Sequence, residues 1–106
     1  MTRQEARESG LSVDRFGMVC VYHHTSREGS QSILRTGTLV PREDGVFFSS
    51  RPHGHASGYG PCAVEVLVDC RLLLPDDEFG DGEVHFRVPA RLGSPWPVRV
   101  KGVDCK

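Results

Sequence analysis

Apolar and polar positions alternate along much of the chain with the period of two that is typical of β-strands. Residues 63–69 (AVEVLVD) place valine at every second position. Residues 83–88 (EVHFRV) alternate strictly, with valine and phenylalanine on one face and Glu83, His85 and Arg87 on the other. We therefore expect two strands with a buried face, and we expect Glu83 to point away from the core where its strand begins.

Three further segments carry strand signals, and one carries a turn signal. Residues 18–22 (MVCVY) and 46–49 (VFFS) are short, apolar and rich in β-branched or aromatic side chains, which indicates buried strands. Residues 97–103 (PVRVKGV) predict a last strand at a sheet edge, where lysine discourages further pairing. Residues 71–79 (RLLLPDDEF) are expected to break at Pro75 into an acidic turn.

One helix is predicted between the first two strands. Thr25 and Glu28 have the spacing of a capping box, so the helix should begin at Ser26. It should end at Gly37, since glycine tolerates the positive φ that follows many helices. Residues 1–10 are polar and charged, and we expect them to fray or to lie on the surface.

Glycine and proline mark the connections between these elements. Residues 41–45 (PREDG) and 94–97 (SPWP) read as turns, the second with an anchoring tryptophan. Residues 50–61 (SRPHGHASGYGP) are rich in glycine and proline and predict an irregular loop that lines a site. The pattern as a whole predicts an α+β fold with a mainly antiparallel sheet and one main short helix: a flexible segment over 1–15 and a single domain over 16–106.

Length and charge narrow the class of protein. The chain has 106 residues, enough for one domain, and its net charge of -1 provides no global field for nucleic acid or for an anionic membrane. No window approaches the roughly 18 apolar residues of a membrane helix, and the amino terminus lacks the apolar core of a secretory signal. We expect a cytoplasmic monomer that does not bind membranes; a secreted toxin domain remains an alternative.

The cysteines carry no metal signature. Cys20, Cys62, Cys70 and Cys105 lack paired CxxC spacing, which argues against structural zinc. We expect them to be reduced, with Cys20 and Cys70 in buried strands, because disulfides require an exported protein.

A cluster of histidines gives a metal-binding alternative. His53 and His55 flank Gly54 and resemble a cupin pair, although Pro52 and Gly54 favour a loop over a regular strand. The donors that such a site would gather are His23, His24, His53 and His55, with Cys62 or Glu65.

The order of short motifs resembles that of ADP-ribosyltransferases. The resemblance covers about residues 19–90, most of the chain. Its segments are HTS at 24–26, SILRTGTL at 32–39, GVFFS at 45–49, ASGY at 56–59 and GE at 82–83.

The resemblance is to the histidine-tyrosine-glutamate branch and implies a split sheet, NAD as the substrate and an unidentified acceptor of ADP-ribose. It implies that His24 orients a ribose, that Tyr59 stacks on nicotinamide, and that Glu83 stabilises the positive charge that develops as nicotinamide leaves. Asp81 matches a target-selecting position. The remaining residues implied to bind NAD are Thr25, Ser26, Gly45, Phe47, Phe48 and Ser49.

The chain also departs from that pattern, which leaves alternatives open. A glycine that usually precedes the hydroxyl residue is replaced by His24. The segment from residue 64 to 92 resembles the carboxyl half of RNA 2'-phosphotransferases, which share the fold and use NAD. Asp76 or Asp77 is the alternative catalytic acid, as in rifampin ADP-ribosyltransferases. A non-catalytic nucleotide-binding module is the other alternative, and Arg27, Arg35, Arg42 and Arg51 are candidate contacts for a phosphate.

Overall fold

The computed structural model describes residues 1–89 and 95–106 as an α+β domain with two antiparallel sheets. A six-stranded sheet has the order β5-β6-β3-β1-β4-β8, and β2 pairs with β7. The elements are α1 (Arg3–Glu8), β1 (Met18–Thr25), α2 (Arg27–Thr36), β2 (Thr38–Leu39), β3 (Val46–Ser49), β4 (Cys62–Asp69), β5 (Leu74–Glu78), β6 (Val84–Val88), β7 (Trp96–Pro97) and β8 (Arg99–Cys105), with 3₁₀ helices at His55–Tyr59 and Cys70–Leu72. The predicted class is confirmed. In the part of the chain described, no helix is both long and apolar enough to cross a membrane.

One face of the large sheet carries the core. Phe48 of β3 lies directly opposite Phe86 of β6, and partners across an antiparallel pair point to the same side. Val21 of β1 points the same way, and all three side chains are buried. We call this side the core face. Ile33 of α2 and Ala6 of α1 join the same apolar cluster, so both helices contribute to one core.

The opposite face carries polar side chains in its middle. Ser49 pairs with Tyr22 on one side and with His85 on the other, which places these three side chains on one face. Because side chains alternate along a strand, His24 of β1 lies on that face as well. We call it the histidine face and define it by His24, Ser49 and His85.

The predicted strand at 18–22 is confirmed but extends to Thr25, and this moves the start of the helix. Ser26, not Thr25, is the N-cap of α2, and its side chain accepts a hydrogen bond from the Gly29 amide at 3.0 Å. The helix ends as predicted at Gly37, which has a left-handed φ of 66°. Thr25 belongs to β1, and its backbone pairs with Cys62 of β4.

The first residues, expected to fray or to lie on the surface, form α1 and contact the domain. Thr2 and Glu5 make the capping box that begins this helix. Ala6 is fully buried. The terminal amine donates to the carbonyls of Cys70 and Leu73 at 2.9 and 2.8 Å. The buried Ala6, the partly buried Met1 and two hydrogen bonds hold the segment, and none of these contacts is visible in its polar composition.

The acidic segment after Leu73 is a strand, so the turn predicted there is wrong. It forms β5, which is exposed throughout and pairs only with β6. An edge strand accommodates Pro75 and several carboxylates, because one side of it needs no partner. The edge position predicted for the last strand is confirmed, since β8 closes the other end of the sheet. Ser94 of the predicted SPWP turn lies outside the described residues, whereas Trp96 packs edge-on against Phe48.

The structure corrects the expectation that all cysteines are reduced. Cys62 and Cys105 form a disulfide between β4 and β8, where they are direct partners in the pairing register. Sequence spacing did not reveal this pair, because only the register brings residues of two strands together. Cys20 and Cys70 are free thiols. Cys20 lies in a strand as expected but is only partly buried, whereas Cys70 is buried but lies in a 3₁₀ helix instead of a strand.

Candidate functional site

A fully buried carboxylate lies at the centre of the polar chemistry. Glu83 precedes β6 and has no exposed surface. One of its oxygens lies 2.6 Å from Nε2 of His85, and the amide of His55 donates to the carboxylate at 3.1 and 3.2 Å. Burial raises the pKa of Glu83, but the hydrogen bonds from His85 and His55 outweigh burial, and the pKa is lowered. The group is therefore an anion at neutral pH.

The expectation that Glu83 points away from the core-facing side of its strand holds, but the side chain is not solvated. The loop over residues 50–61 covers it. Gly54 packs so closely on the carboxylate that a Cβ at this position would overlap an oxygen of Glu83. The side-chain hydroxyl of Ser50 also accepts from the Val84 amide at 3.0 Å, which fixes the start of the loop to β6.

The same loop contacts His24. The Nε2 atom of His24 lies 2.7 Å from the carbonyl oxygen of Pro52. A carbonyl only accepts, so Nε2 carries the proton in this pair. Burial lowers the pKa of His24 more than the Pro52 carbonyl and the charge of Glu83 raise it. His24 is therefore neutral at pH 7, and its Nδ1 is an acceptor.

An outer ion cluster lies beside the buried carboxylate. Asp81 accepts from the Glu83 amide at 3.1 Å, and its other oxygen lies 3.0 Å from Nε2 of His55 and 3.2 Å from the Arg51 guanidinium. The amide of Glu83, followed by His55 and Arg51, lowers the pKa of Asp81. Phe79 stacks on the His55 ring at 4.0 Å and touches the His85 ring at 4.7 Å. These contacts fix both imidazoles.

The residues implied by the resemblance are only partly brought together. His24, Ser49 and Glu83 lie on the histidine face, and the negative charge of Glu83 acts against burial by raising the pKa of His24. Tyr59 ends the 3₁₀ helix of the loop with 77% of its surface exposed. Asp81 lies next to this group.

Phe47 and Phe48, both implied to bind NAD, do not lie on one face of the sheet. They are neighbours on a strand and point to opposite faces, with Phe48 in the core and Phe47 at 40% exposure. The other implied contacts have structural roles. Thr25 ends β1 against the backbone of Gly60, and Ser26 caps α2, while Gly45 closes a turn with Arg42.

The alternative acids are exposed on β5, and two of the candidate phosphate contacts already have partners. Asp76 lies 4.0 Å from the Arg87 guanidinium on the exposed strand β5. Asp77 is the register partner of His85 but is exposed. Arg51 is bound to Asp81, and Arg27 donates to the carbonyl of Lys106 at 2.6 Å.

The donors of the metal alternative do not converge. His23 points to the core face, where its ring contacts Phe48, and His24 points to the other. His53 pairs with Asp104 at 2.9 Å, and Cys62 is in the disulfide. Among the residues that the structure describes, no group of three or more histidine, cysteine, aspartate or glutamate side chains is arranged to hold a metal ion.

Sequence reasoning missed His85 as a site residue, although the signal was present. The alternation over residues 83–88 puts Glu83 and His85 on one face, but we assigned a role only to Glu83. The alternation gave no information about the loop over residues 50–61, which covers this face. The contact between His55 and Glu83 joins residues from two different connections.

The arrangement offers an ionised carboxylate, a neutral histidine and several imidazole–carboxylate pairs on one sheet face. Such groups can stabilise a developing positive charge and transfer protons. Comparison of the chain with protein-family models, with curated proteins and with solved structures gave no match.

Proposed function

We propose that this domain is an NAD-dependent ADP-ribosyltransferase that breaks the bond between nicotinamide and ribose and passes ADP-ribose to an acceptor. The observation that carries the proposal is the shared position of His24 and Glu83, which are distant in sequence and lie on one face of the sheet. Side chains on opposite faces would have ruled it out.

The residues present fit the chemistry of NAD. NAD supplies the ribosyl group and a neutral leaving group, nicotinamide. Glu83 is an anion despite its burial, so it stabilises the positive charge that develops on the ribose. His24 donates from Nε2 to Pro52, and its Nδ1 is left to accept a hydrogen bond from a ribose hydroxyl. The exposed ring of Tyr59 is available to stack on nicotinamide.

Access to Glu83 requires a movement of the loop. Gly54 and the His55 amide lie directly on the carboxylate, which has no exposed surface. The substrate therefore reaches Glu83 only when these two residues move away from it. The ribose hydroxyls then replace the His55 amide as hydrogen-bond donors to Glu83, so the carboxylate keeps its ionised state during the exchange.

The proposal is tested by incubating the protein with NAD and measuring free nicotinamide, with NAD binding measured separately by calorimetry. We expect Glu83→Gln to lower nicotinamide release at least about 100-fold while NAD affinity changes little, because the loss concerns charge in the transition state. Glu78→Gln is the control, since Glu78 is an exposed carboxylate on β5. It should release nicotinamide at the wild-type rate.

Two results would overturn the proposal. A wild-type protein that neither binds NAD nor releases nicotinamide is not an NAD enzyme. A wild-type protein that binds NAD tightly without releasing nicotinamide is a nucleotide-binding module, the alternative that the resemblance leaves open.

A further inference from the structure

His85 is built into the site as an oriented imidazole. Its Nε2 atom lies 2.6 Å from a Glu83 oxygen, and its side chain is only 14% exposed. The ring also rests against Phe79 at 4.7 Å. A carboxylate and an aromatic ring therefore fix both the direction and the position of this imidazole.

The hydrogen bond to Glu83 determines which ring nitrogen is the base. Glu83 is ionised, and an ionised carboxylate only accepts hydrogen bonds, so Nε2 carries the proton. Nδ1 then holds the lone pair when the ring is neutral. Within residues 1–89 and 95–106, Nδ1 has no hydrogen-bond partner, and no buried polar side-chain atom there lacks one. Nδ1 therefore keeps some exposed surface in the part of the chain that the structure describes.

An imidazole held by a carboxylate at one nitrogen and free at the other is the arrangement of a general base. The two pairs formed by histidines of the loop over residues 50–61 are more exposed. His55 faces Asp81 with 44% exposure, and His53 faces Asp104, which is 69% exposed. Of the imidazole–carboxylate pairs in the part of the chain that the structure describes, only that of His85 and Glu83 combines a fully buried carboxylate with a mostly buried ring, and burial strengthens the electrostatic coupling between them.

We propose that His85 is a further catalytic residue, which accepts the proton of the group that attacks the ribose. The inference rests on the proposed NAD-dependent transfer. As the bond from the ribosyl carbon to nicotinamide breaks, its electron pair leaves with nicotinamide. A hydroxyl oxygen forms the new bond to that carbon, and the hydroxyl proton passes to Nδ1 of His85 and from there to solvent.

This assignment names the class of acceptor. An attacking alcohol or water must lose a proton, whereas a carboxylate acceptor has none to lose. A base beside Glu83 therefore serves an acceptor that must lose a proton, and a hydroxyl is the acceptor we propose, with water as the simplest example. Glu83 in this arrangement has two roles, because it stabilises the ribosyl charge and orients the base.

The matched test is His85→Gln. The glutamine amide keeps a donor for Glu83 but removes the base, so NAD affinity should stay within about threefold of wild type. Nicotinamide release into water should fall at least about 100-fold, and the acid limb of the pH–rate profile should disappear. His53→Gln is the control, since it removes an imidazole–carboxylate pair at β8, and its release should stay within about twofold of wild type.

A second readout does not depend on turnover. Nitrogen NMR of the neutral form of the His85 ring should show the proton on Nε2 and not on Nδ1. The opposite tautomer would overturn the inference. So would a His85→Gln protein that releases nicotinamide at the wild-type rate with an unchanged pH profile, and in that case the proposed function would stand. A wild-type protein without NAD binding or release would overturn both.

Discussion

Each face of the large sheet holds a fully buried side chain, but different physics stabilises the two. On the core face Phe86 is fully buried, and on the histidine face Glu83 is fully buried as well. Burial of Phe86 is favourable because apolar surface leaves water, and many different apolar neighbours can provide this burial. Glu83 is stabilised only while His85 and the His55 amide donate to it. Equal burial therefore does not mean equal tolerance to change.

The neighbouring residues Phe47 and Phe48 provide the largest test of this comparison. Both are phenylalanines on β3, but they point to opposite faces. Phe47 has 40% of its surface exposed, and Phe48 has 3%. We expect Phe48→Ala to lower the free energy of unfolding by about 3–5 kcal/mol, because it leaves a cavity in the core. Phe47→Ala should cost less than about 1 kcal/mol. Urea denaturation measures both, and equal losses would show that the two faces do not differ as described.

A smaller effect is expected where the loop meets Glu83. Gly54 has an extended backbone that any residue adopts, but a Cβ there would overlap the carboxylate. Gly54→Ala should therefore separate Glu83 from the His55 amide and lower stability by about 1–3 kcal/mol, the cost of an incompletely bonded buried charge. Gly58→Ala is the matched control, because its added Cβ meets nothing within 4 Å. If both variants have wild-type unfolding midpoints in urea, the loop does not hold the carboxylate.

The smallest expected effect is the response of stability to pH. Burial lowers the pKa of His23 and of His24 below the ordinary value of 6.5, so the unfolded chain takes up protons at a higher pH than the folded domain does. Stability is fully present above pH 6.5 and is lost as pH falls through the folded pKa values. Glu83 adds a second loss of stability below pH 4.5, its ordinary pKa, because its pKa in the folded domain is also lowered.

The free energy of unfolding cannot change by more than about 1.4 kcal/mol per pH unit for each proton that the chain takes up on unfolding. Urea denaturation between pH 7.5 and 5.5 measures it, and His24→Gln should flatten the curve. A stability that rises as pH falls in this window would contradict the lowered pKa values of the two histidines.

Local pattern was sufficient for most of the architecture. Alternation located β4 and β6, and glycine located the end of α2 at Gly37, because these features depend on a few consecutive residues. β5 was missed since its acidic residues are tolerated only at a sheet edge, and edge position is a property of the whole sheet. The disulfide of Cys62 and Cys105 was missed because the pairing register of β4 and β8 is likewise a property of the whole sheet.

For the site, the sequence determined which chemical groups are present and, through strand alternation, that Glu83 and His85 lie on one face. Tertiary structure decided what those groups became. The pairing of β1, β3 and β6 brought His24 to the same face, and the loop over residues 50–61 made the glutamate at the start of β6 a buried anion. The reason is physical: alternation depends on the backbone within one strand, whereas burial and ionisation depend on atoms that only folding brings near.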